Sequence, residues 1–369
     1  MKIGILTYHR AHNYGAVLQA FALKSYLILQ GYDVEFIDYW PKYRKGMYDF
    51  VDFSFLNEKI STAEKIKELL KQLLIFPKNV VRYTRFQRFI KHQLNVSNSS
   101  IVRDGSQIKD KYDLIIFGSD QIWRNNNFKT FKGFDPIYWG QFPEDSNVKK
   151  IAYAASMGIM HSTIAQEEFI KEHLRNFHSI TVRENKLGNL IQSLTNKKIE
   201  QVLDPVFLLD SKEWLQLLSK SNLVKKNYVL LYHLNNSPEA KILTNKIAKL
   251  YNCKVIEIRG TVKPFSLNFY ETIGPKRYIS LIANAKAIVS TSFHGVAFSI
   301  IFKKQFYALG MRNNSERVTS LLKSLDISDR YITNIDTLEN INNPIDYKKV
   351  DDTLSYLIKT SKNFLSNIE

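Results

Sequence analysis

The stretch that decides the fold is Lys286-Ala287-Ile288-Val289-Ser290-Thr291-Ser292-Phe293-His294-Gly295-Val296-Ala297-Phe298-Ser299-Ile300-Ile301-Phe302. Its β-branched run, from Ala287 to Ser290, reads as a buried strand that stops at Thr291-Ser292. After His294-Gly295 the apolar segment 296–302 continues as a helix. A strand turning directly into a helix puts an imidazole, two hydroxyls and unpaired helix-start N–H groups at the strand's carboxyl end. Ligands collect in that crevice in open parallel sheets, and free N–H groups there attract anions.

The same alternation runs outward in both directions. Residues 2–7 predict a first strand, Asn13 a cap, residues 14–29 a helix ended by Gly31, and residues 33–39 a second strand. This is the opening βαβ unit of a parallel sheet. Residues 40–60, with Trp40, Tyr43, Tyr48, Phe50, Phe53 and Phe55, interrupt it as an aromatic insertion or flap. Helical patterns cover 62–76 and 80–94, and strands are expected at 113–117, 150–154, 179–182 and 201–203. A second series follows: strand 227–232, helix 238–251, strand 253–258, helix 276–285, the central stretch, and strand 305–308. An amphipathic helix over 347–365 comes last. The expected fold class is α/β, with two Rossmann-like domains whose parallel sheets face a cleft in a GT-B-like arrangement. The expected units are 1–215, 216–345 and a terminal helix 346–369.

The composition is that of a globular chain: 369 residues, 44% hydrophobic and 24% charged. A single cysteine, Cys253, excludes an internal disulfide framework and a Cys-rich metal site. The apolar run Ile3–Leu6 is too short for a signal peptide, and no stretch reaches the length of a membrane span. A cytoplasmic location is therefore expected. The net charge of +17, from 52 Lys+Arg against 35 Asp+Glu, favours anionic partners. Its basic residues are spread along the chain without a helix-turn-helix, zinc-finger or RNA-binding signature, so no nucleic acid partner is expected. Peripheral contact with the anionic inner face of the cell membrane is.

Several short blocks carry candidate chemistry. His9-Arg10-Ala11-His12-Asn13-Tyr14-Gly15-Ala16 lies where a dinucleotide fingerprint would sit, but Gly15 is its only glycine. Here His12, Asn13, Tyr14 and Gly15 are expected at the cleft, with a plain helix cap as the rival reading. In Gly118-Ser119-Asp120-Gln121-Ile122-Trp123-Arg124, three polar side chains leave the end of a strand. Asp120 suits a base toward a sugar hydroxyl and Trp123 a platform for a sugar ring; otherwise Asp120 is a cap and Trp123 is core. Arg183, after the strand ending at Val182, offers a guanidinium for a carboxylate or phosphate, or an ion pair with Glu184 or another acid. Arg312 and Arg317 offer two more, and Asp204-Pro205 reads as a structural turn. There is no Walker loop, His-Glu-x-x-His, Gly-x-Ser-x-Gly elbow or metal-ligand set, so no metal is expected.

Taken in order, Tyr8-His9, His12 to Gln19, Gly118 to Trp123, Val182-Arg183-Glu184, Asp204-Pro205, Gly274-Pro275 and Ser292-Phe293-His294-Gly295 resemble the polysaccharide pyruvyl transferase family, from residue 2 to about 325. The resemblance implies a GT-B-like fold and transfer of pyruvate from phosphoenolpyruvate to a sugar of a surface polysaccharide or its lipid-linked precursor. The product is a pyruvate ketal in capsule, exopolysaccharide or cell-wall glycan. Phosphoenolpyruvate is then a co-substrate and no other cofactor is implied. His294 takes the central catalytic or donor-contacting role and Arg183 that of an anion-binding arginine. Ser292, Phe293, Gly295, Arg312 and Arg317 fall on the donor side, and His12, Asn13, Tyr14, Gly15, Ser119, Gln121 and Trp123 on the acceptor side. One departure is visible: family members often carry Arg-Leu-His where this chain has Ser292-Phe293-His294.

Ketal formation needs an acid to protonate the methylene carbon of phosphoenolpyruvate, a base for the sugar hydroxyl and positive groups for the leaving phosphate. Histidine, aspartate and arginine meet these needs. Ser292 in place of arginine keeps a nucleotide-sugar-dependent glycosyltransferase as the alternative, with a non-catalytic partner in glycan biosynthesis as a third.

Overall fold

The computed structural model describes the chain except residues 49, 52–59, 97–100, 109–110, 143–147, 159–162, 218–226, 311–314, 336–342 and 369. Phe53, Phe55, Arg312 and part of the expected junction between halves therefore lie outside the described residues.

Short runs apolar on both faces form parallel sheets covered on each side, and the described residues build two. The first contains β1 (Lys2–Leu6), β2 (Asp33–Phe36), β3 (Leu114–Phe117), β4 (Lys149–Ala155), β5 (Ser179–Val182) and β6 (Ile199–Gln201). Its order is β2-β1-β3-β4-β5-β6, all parallel. The second contains β7 (Tyr228–His233), β8 (Lys254–Arg259), β9 (Ala287–Ser290), β10 (Gln305–Leu309) and β11 (Tyr331–Ile332). Its order is β8-β7-β9-β10-β11, again parallel. The α/β, two-sheet expectation holds. Strand order reverses between β1 and β3 in one sheet and between β7 and β9 in the other. At such switch points the loops diverge and leave a crevice outside the strand ends.

Ten helices are described: α1 (Tyr14–Leu29), α2 (Thr62–Gln93), α3 (Ile164–His173), α4 (Asn185–Leu194), α5 (Ser211–Gln216), α6 (Pro238–Leu250), α7 (Pro275–Asn284), α8 (Phe293–Ile301), α9 (Glu316–Ser324) and α10 (Tyr347–Ser366). Asn13 caps α1 through the Ala16 N–H at 3.2 Å. Ser61 and Glu64 form a capping box on α2. The two helical segments expected at 62–76 and 80–94 are one continuous helix with Pro77 inside it. The strand expected at 201–203 lies two residues earlier.

One of three apolar clusters spans the halves, with Val17 and Leu18 of α1 beside Val296, Ala297 and Phe298 of α8, and each half has one further cluster of its own. Tyr14 stacks on Tyr278 of α7 at 4.5 Å and donates to the Ile273 carbonyl at 3.0 Å. Helix α10 crosses back to the first sheet, where the Leu203 N–H donates to Ser361 Oγ at 2.9 Å and Lys149 Nζ to the Ile368 carbonyl at 3.0 Å.

Candidate active site

The four loops at the two switch points meet around a cleft of about 190 Å³. The β1 loop brings Tyr8, Ala11 and Asn13, the β3 loop Asp120, Gln121 and Arg124, the β7 loop Leu234, and the β9 loop Ser292, Phe293 and His294. Arg44 and Tyr48 from the aromatic insertion and Arg317 from α9 complete the wall.

His294 occupies the first turn of α8 and is 5% exposed. It is seated by Gly15 across the junction: a Cβ at residue 15 would fall 2.0 Å from His294 Nδ1. The start of α1 in one half and the start of α8 in the other thus touch through a missing side chain. On its other side, His294 Nε2 lies 3.5 Å from Oδ2 of Asp204, an ion-pair distance that falls short of hydrogen-bond geometry. Asp204 also accepts from Arg183 Nη1, and from the Val206 N–H at 3.1 Å. Burial works to raise the Asp204 carboxyl, but His294 and then Arg183 outweigh it and hold the group well below the usual carboxylate range. The result is a buried line Arg183–Asp204–His294 ending at the cleft.

Asp120 projects from a strained loop. It is a non-glycine residue at φ 74° and accepts from the Gln121 N–H at 2.8 Å. Gly118, at φ 120°, precedes it; a Cβ there would fall 2.2 Å from the Tyr153 carbonyl, so β3 can turn sharply only with glycine. A buried relay fixes the two loops to each other: Gln19 Nε2 donates to Thr7 Oγ1 at 2.9 Å, Thr7 Oγ1 to the Ser119 carbonyl at 2.8 Å, and the Ser119 N–H to Gln19 Oε1 at 3.2 Å.

The electrostatics are cationic, with three guanidiniums on the wall against the single carboxylate of Asp120. Arg44 is buried, with its guanidinium 3.8 Å from the Tyr8 ring centre and within 6 Å of Trp40, Tyr43 and Phe128. Arg317 is also buried; desolvation first, and then nearby Arg183, lower it to about 10, so it stays charged at neutral pH. Around the cleft, Tyr8 Oη, Arg44 Nε, Arg317 Nε and His294 Nε2 are buried without a hydrogen-bond partner among the described residues. Native folds seldom tolerate such groups unless something else satisfies them.

Several expected contacts are corrected. Trp123 is fully buried, stacked on Trp139 and donating to the Tyr138 carbonyl at 2.9 Å, so it is core and no sugar platform. Tyr14 is a junction residue, and Ser119 is sealed beneath the loop with its hydroxyl on the Ala154 carbonyl at 2.7 Å. His12 is stacked between Tyr48 and Phe86 behind the wall, where burial and then Arg82 lower it to about 3. Gly295 does not face the cleft, since a Cβ there would run into Ser290 Oγ at 2.1 Å and the Tyr232 ring at 2.9 Å. Arg183 sits one layer back, its guanidinium 4.7 Å from the Phe293 ring centre. Two participants escaped the sequence reading. Asp204 does cap the turn expected of it, through the Val206 N–H, but its place beside His294 was not foreseen, and Arg44 lay unremarked within the aromatic segment, whose rings around it were the one available signal.

A family model described as polysaccharide pyruvyl transferase matches residues 13–313. No curated protein matches the sequence. Among solved structures, the chain is similar to the UDP-GlcNAc 2-epimerase of Methanocaldococcus jannaschii, at 13% identity and TM-score 0.45, over 97% of this chain and 93% of that one. It is also similar to the UDP-N-acetylglucosamine 2-epimerase of Rickettsia bellii (13%, TM-score 0.47, 100% and 96%) and to ADP-heptose lps heptosyltransferase II of E. coli (12%, TM-score 0.32, 98% and 100%).

Proposed function

The chain belongs to the polysaccharide pyruvyl transferase family, and from that premise we propose that it moves pyruvate from phosphoenolpyruvate onto two hydroxyls of a glycan sugar. The observation that carries this reading is the His294 imidazole, backed by Asp204 and Arg183, at a cleft that also holds Asp120, Arg44 and Arg317. Phosphoenolpyruvate carries a carboxylate and a phosphate, and Arg44, Arg124 and Arg317 are the groups available to both. The buried donors on Arg44 and Arg317 that lack partners among the described residues suit acceptor oxygens of this kind.

The steps balance with no further reactant. His294 gives a proton to the methylene carbon, and a sugar hydroxyl activated by Asp120 bonds to the adjacent carbon as positive charge develops there. The carbon–oxygen bond to phosphate breaks, the guanidiniums stabilise the departing dianion, and the second hydroxyl closes the ketal ring. Of the two hydroxyl protons, one returns to His294 and one leaves on phosphate. No cofactor beyond the donor enters this scheme. The acceptor in this reading is a lipid-linked glycan precursor of capsule, exopolysaccharide or cell wall, met at the inner face of the cell membrane.

The test is acceptor-dependent phosphate release from phosphoenolpyruvate across a panel of sugars and lipid-linked sugars. His294→Ala and Asp120→Asn should each lower the rate by about 100-fold or more. Absence of release across the panel, or a His294→Ala variant as active as the wild type, overturns the reading.

A further inference from the structure

Helix α2 packs on the core mainly through its second half, while its first half leaves an apolar stripe exposed. Its packed face carries Arg82, Phe86, Phe89 and Ile90, all buried. The opposite face carries Ile66, Leu69, Leu70, Leu73 and Leu74, spaced at three and four residues so that they form one stripe. All five are exposed, Leu70 and Leu73 at 56% each. At 100° per residue this same face continues, beyond Val81, into exposed Arg88, Lys91 and His92. One line along the helix therefore passes from apolar to basic.

The second half of the chain adds to both regions. Lys78 of α2 donates to the Lys263 carbonyl at 3.4 Å and also reaches the Ser266 carbonyl, which holds the loop between β8 and α7 against the helix. That loop exposes Phe265 at 85%, Leu267 at 90% and Phe269 at 84%. Lys276 and Arg277 from the start of α7 join Arg85, Arg88 and His92 around an open depression of about 440 Å³. Burial and then Arg277 both lower Arg85, as expected where like charges crowd.

We propose that this face, the α2 stripe with the Phe265–Phe269 loop and the adjoining Arg85–Arg277 cluster, is a docking surface for an anionic lipid bilayer. Apolar side chains on a helix face and a loop tip enter the headgroup–acyl boundary, while neighbouring basic residues meet lipid phosphates. Charge decides between this occupant and a second copy of the chain. At +17, two copies meeting through this face would bring like charge together, whereas an anionic bilayer attracts both the cluster and the whole molecule. The inference names the surface for the membrane contact proposed above, but it rests on this face alone and not on the chemistry at His294.

The experiment is sedimentation of the full chain with vesicles of phosphatidylcholine alone or with about one-third phosphatidylglycerol, at low and high salt. Binding to the anionic vesicles should be at least about 10-fold tighter and should weaken with salt. The exposed-loop variant Phe265→Ser/Leu267→Ser/Phe269→Ser, and separately Arg88→Glu/Lys91→Glu, should each lose about 10-fold or more of that binding. Both variants should retain wild-type far-UV circular dichroism. His294→Ala should bind vesicles like the wild type, which separates this result from the fate of the catalytic proposal. Equal binding to both vesicle types, unchanged binding by both variants, or a dimer in solution that Leu70→Gln/Leu73→Gln dissolves would overturn it.

Discussion

Gly15 shows how one absent methyl sets the geometry of a site shared by two halves of a chain. A Cβ there would fall 2.0 Å from His294 Nδ1, so alanine must push the imidazole away from Asp204 or pry α1 from α8. Gly15→Ala should cost about 1–3 kcal/mol of stability by overpacking. It should lower phosphate release by about 100-fold, the usual effect of displacing a reacting group by an ångström. Near-normal turnover in a folded variant would show that His294 need not sit where it does. His12 makes a different prediction, on pH. In the folded chain it is lowered to about 3, while an unfolded histidine titrates near 6.5. Between those values the unfolded chain holds a proton that the folded chain does not, so stability falls as pH drops from about 6.5 toward 3. At pH 5 the loss from this group is about 2 kcal/mol. His12→Phe keeps a ring for Tyr48 and Phe86 and should flatten the pH dependence of the urea midpoint; an unchanged slope would refute the assignment. His294 and Gly15 were legible in the sequence because each belongs to a short strand-to-helix junction, and Asp120 because it closely follows the buried run of β3. Asp204 was not, because the partners that give it meaning lie at positions 183 and 294. In the proposed reading, Arg44 from the aromatic insertion and Arg317 from α9 bring to the cleft the positive charge that Ser292 does not.

Among the elements, α2 joins the halves most directly. Arg82 donates to the Glu271 carbonyl at 2.8 Å, the Gly260 carbonyl at 3.0 Å, the His12 carbonyl at 3.1 Å and Tyr14 Oη at 3.3 Å. Its guanidinium thus fastens the β1 loop and the β8–α7 segment to one helix. Arg82→Met should strand those buried acceptors and cost about 3 kcal/mol in urea unfolding, with a loss below about 0.5 kcal/mol counting against the brace. The strands other than β11, and α1, were readable to within a few residues, because buried runs and caps are local signals. Pro77 misled the helix reading: proline removes one N–H and crowds the carbonyl four residues back. Here the preceding turn carries Leu73 and Leu74, both exposed, so water can take up the freed carbonyl while the helix continues. The α2 stripe was visible as a periodicity, but periodicity does not say whether the apolar face turns inward. Only the position of Phe86 and Phe89 against the core shows that it turns out.

At the scale of the molecule, the two-sheet plan followed from the alternation of short buried strands and helices, and the +17 charge from a count. The places where that charge gathers depend on folding, which brings Arg85 and Arg277, far apart in sequence, to one depression and Arg44 and Arg317 to another. The same folding ties the cleft to global stability. Its wall comes from both halves, and one apolar cluster spans them, so a ligand there binds a surface that unfolding of either half destroys. Phosphoenolpyruvate at about 100 times its dissociation constant should therefore stabilise the native state by about 2.7 kcal/mol, raising the midpoint of a single thermal transition by several degrees. Arg317→Gln removes one guanidinium from the wall and should reduce that shift at the same donor concentration, because weaker binding lowers the occupancy. Inorganic phosphate alone should give a smaller shift, since it lacks the carboxylate and its share of the arginine contacts. Differential scanning calorimetry reads these outcomes directly. A donor that shifts nothing at millimolar concentration, or a scan in which one half melts apart from the other and only that half responds, would mean that the cleft is not the shared donor site.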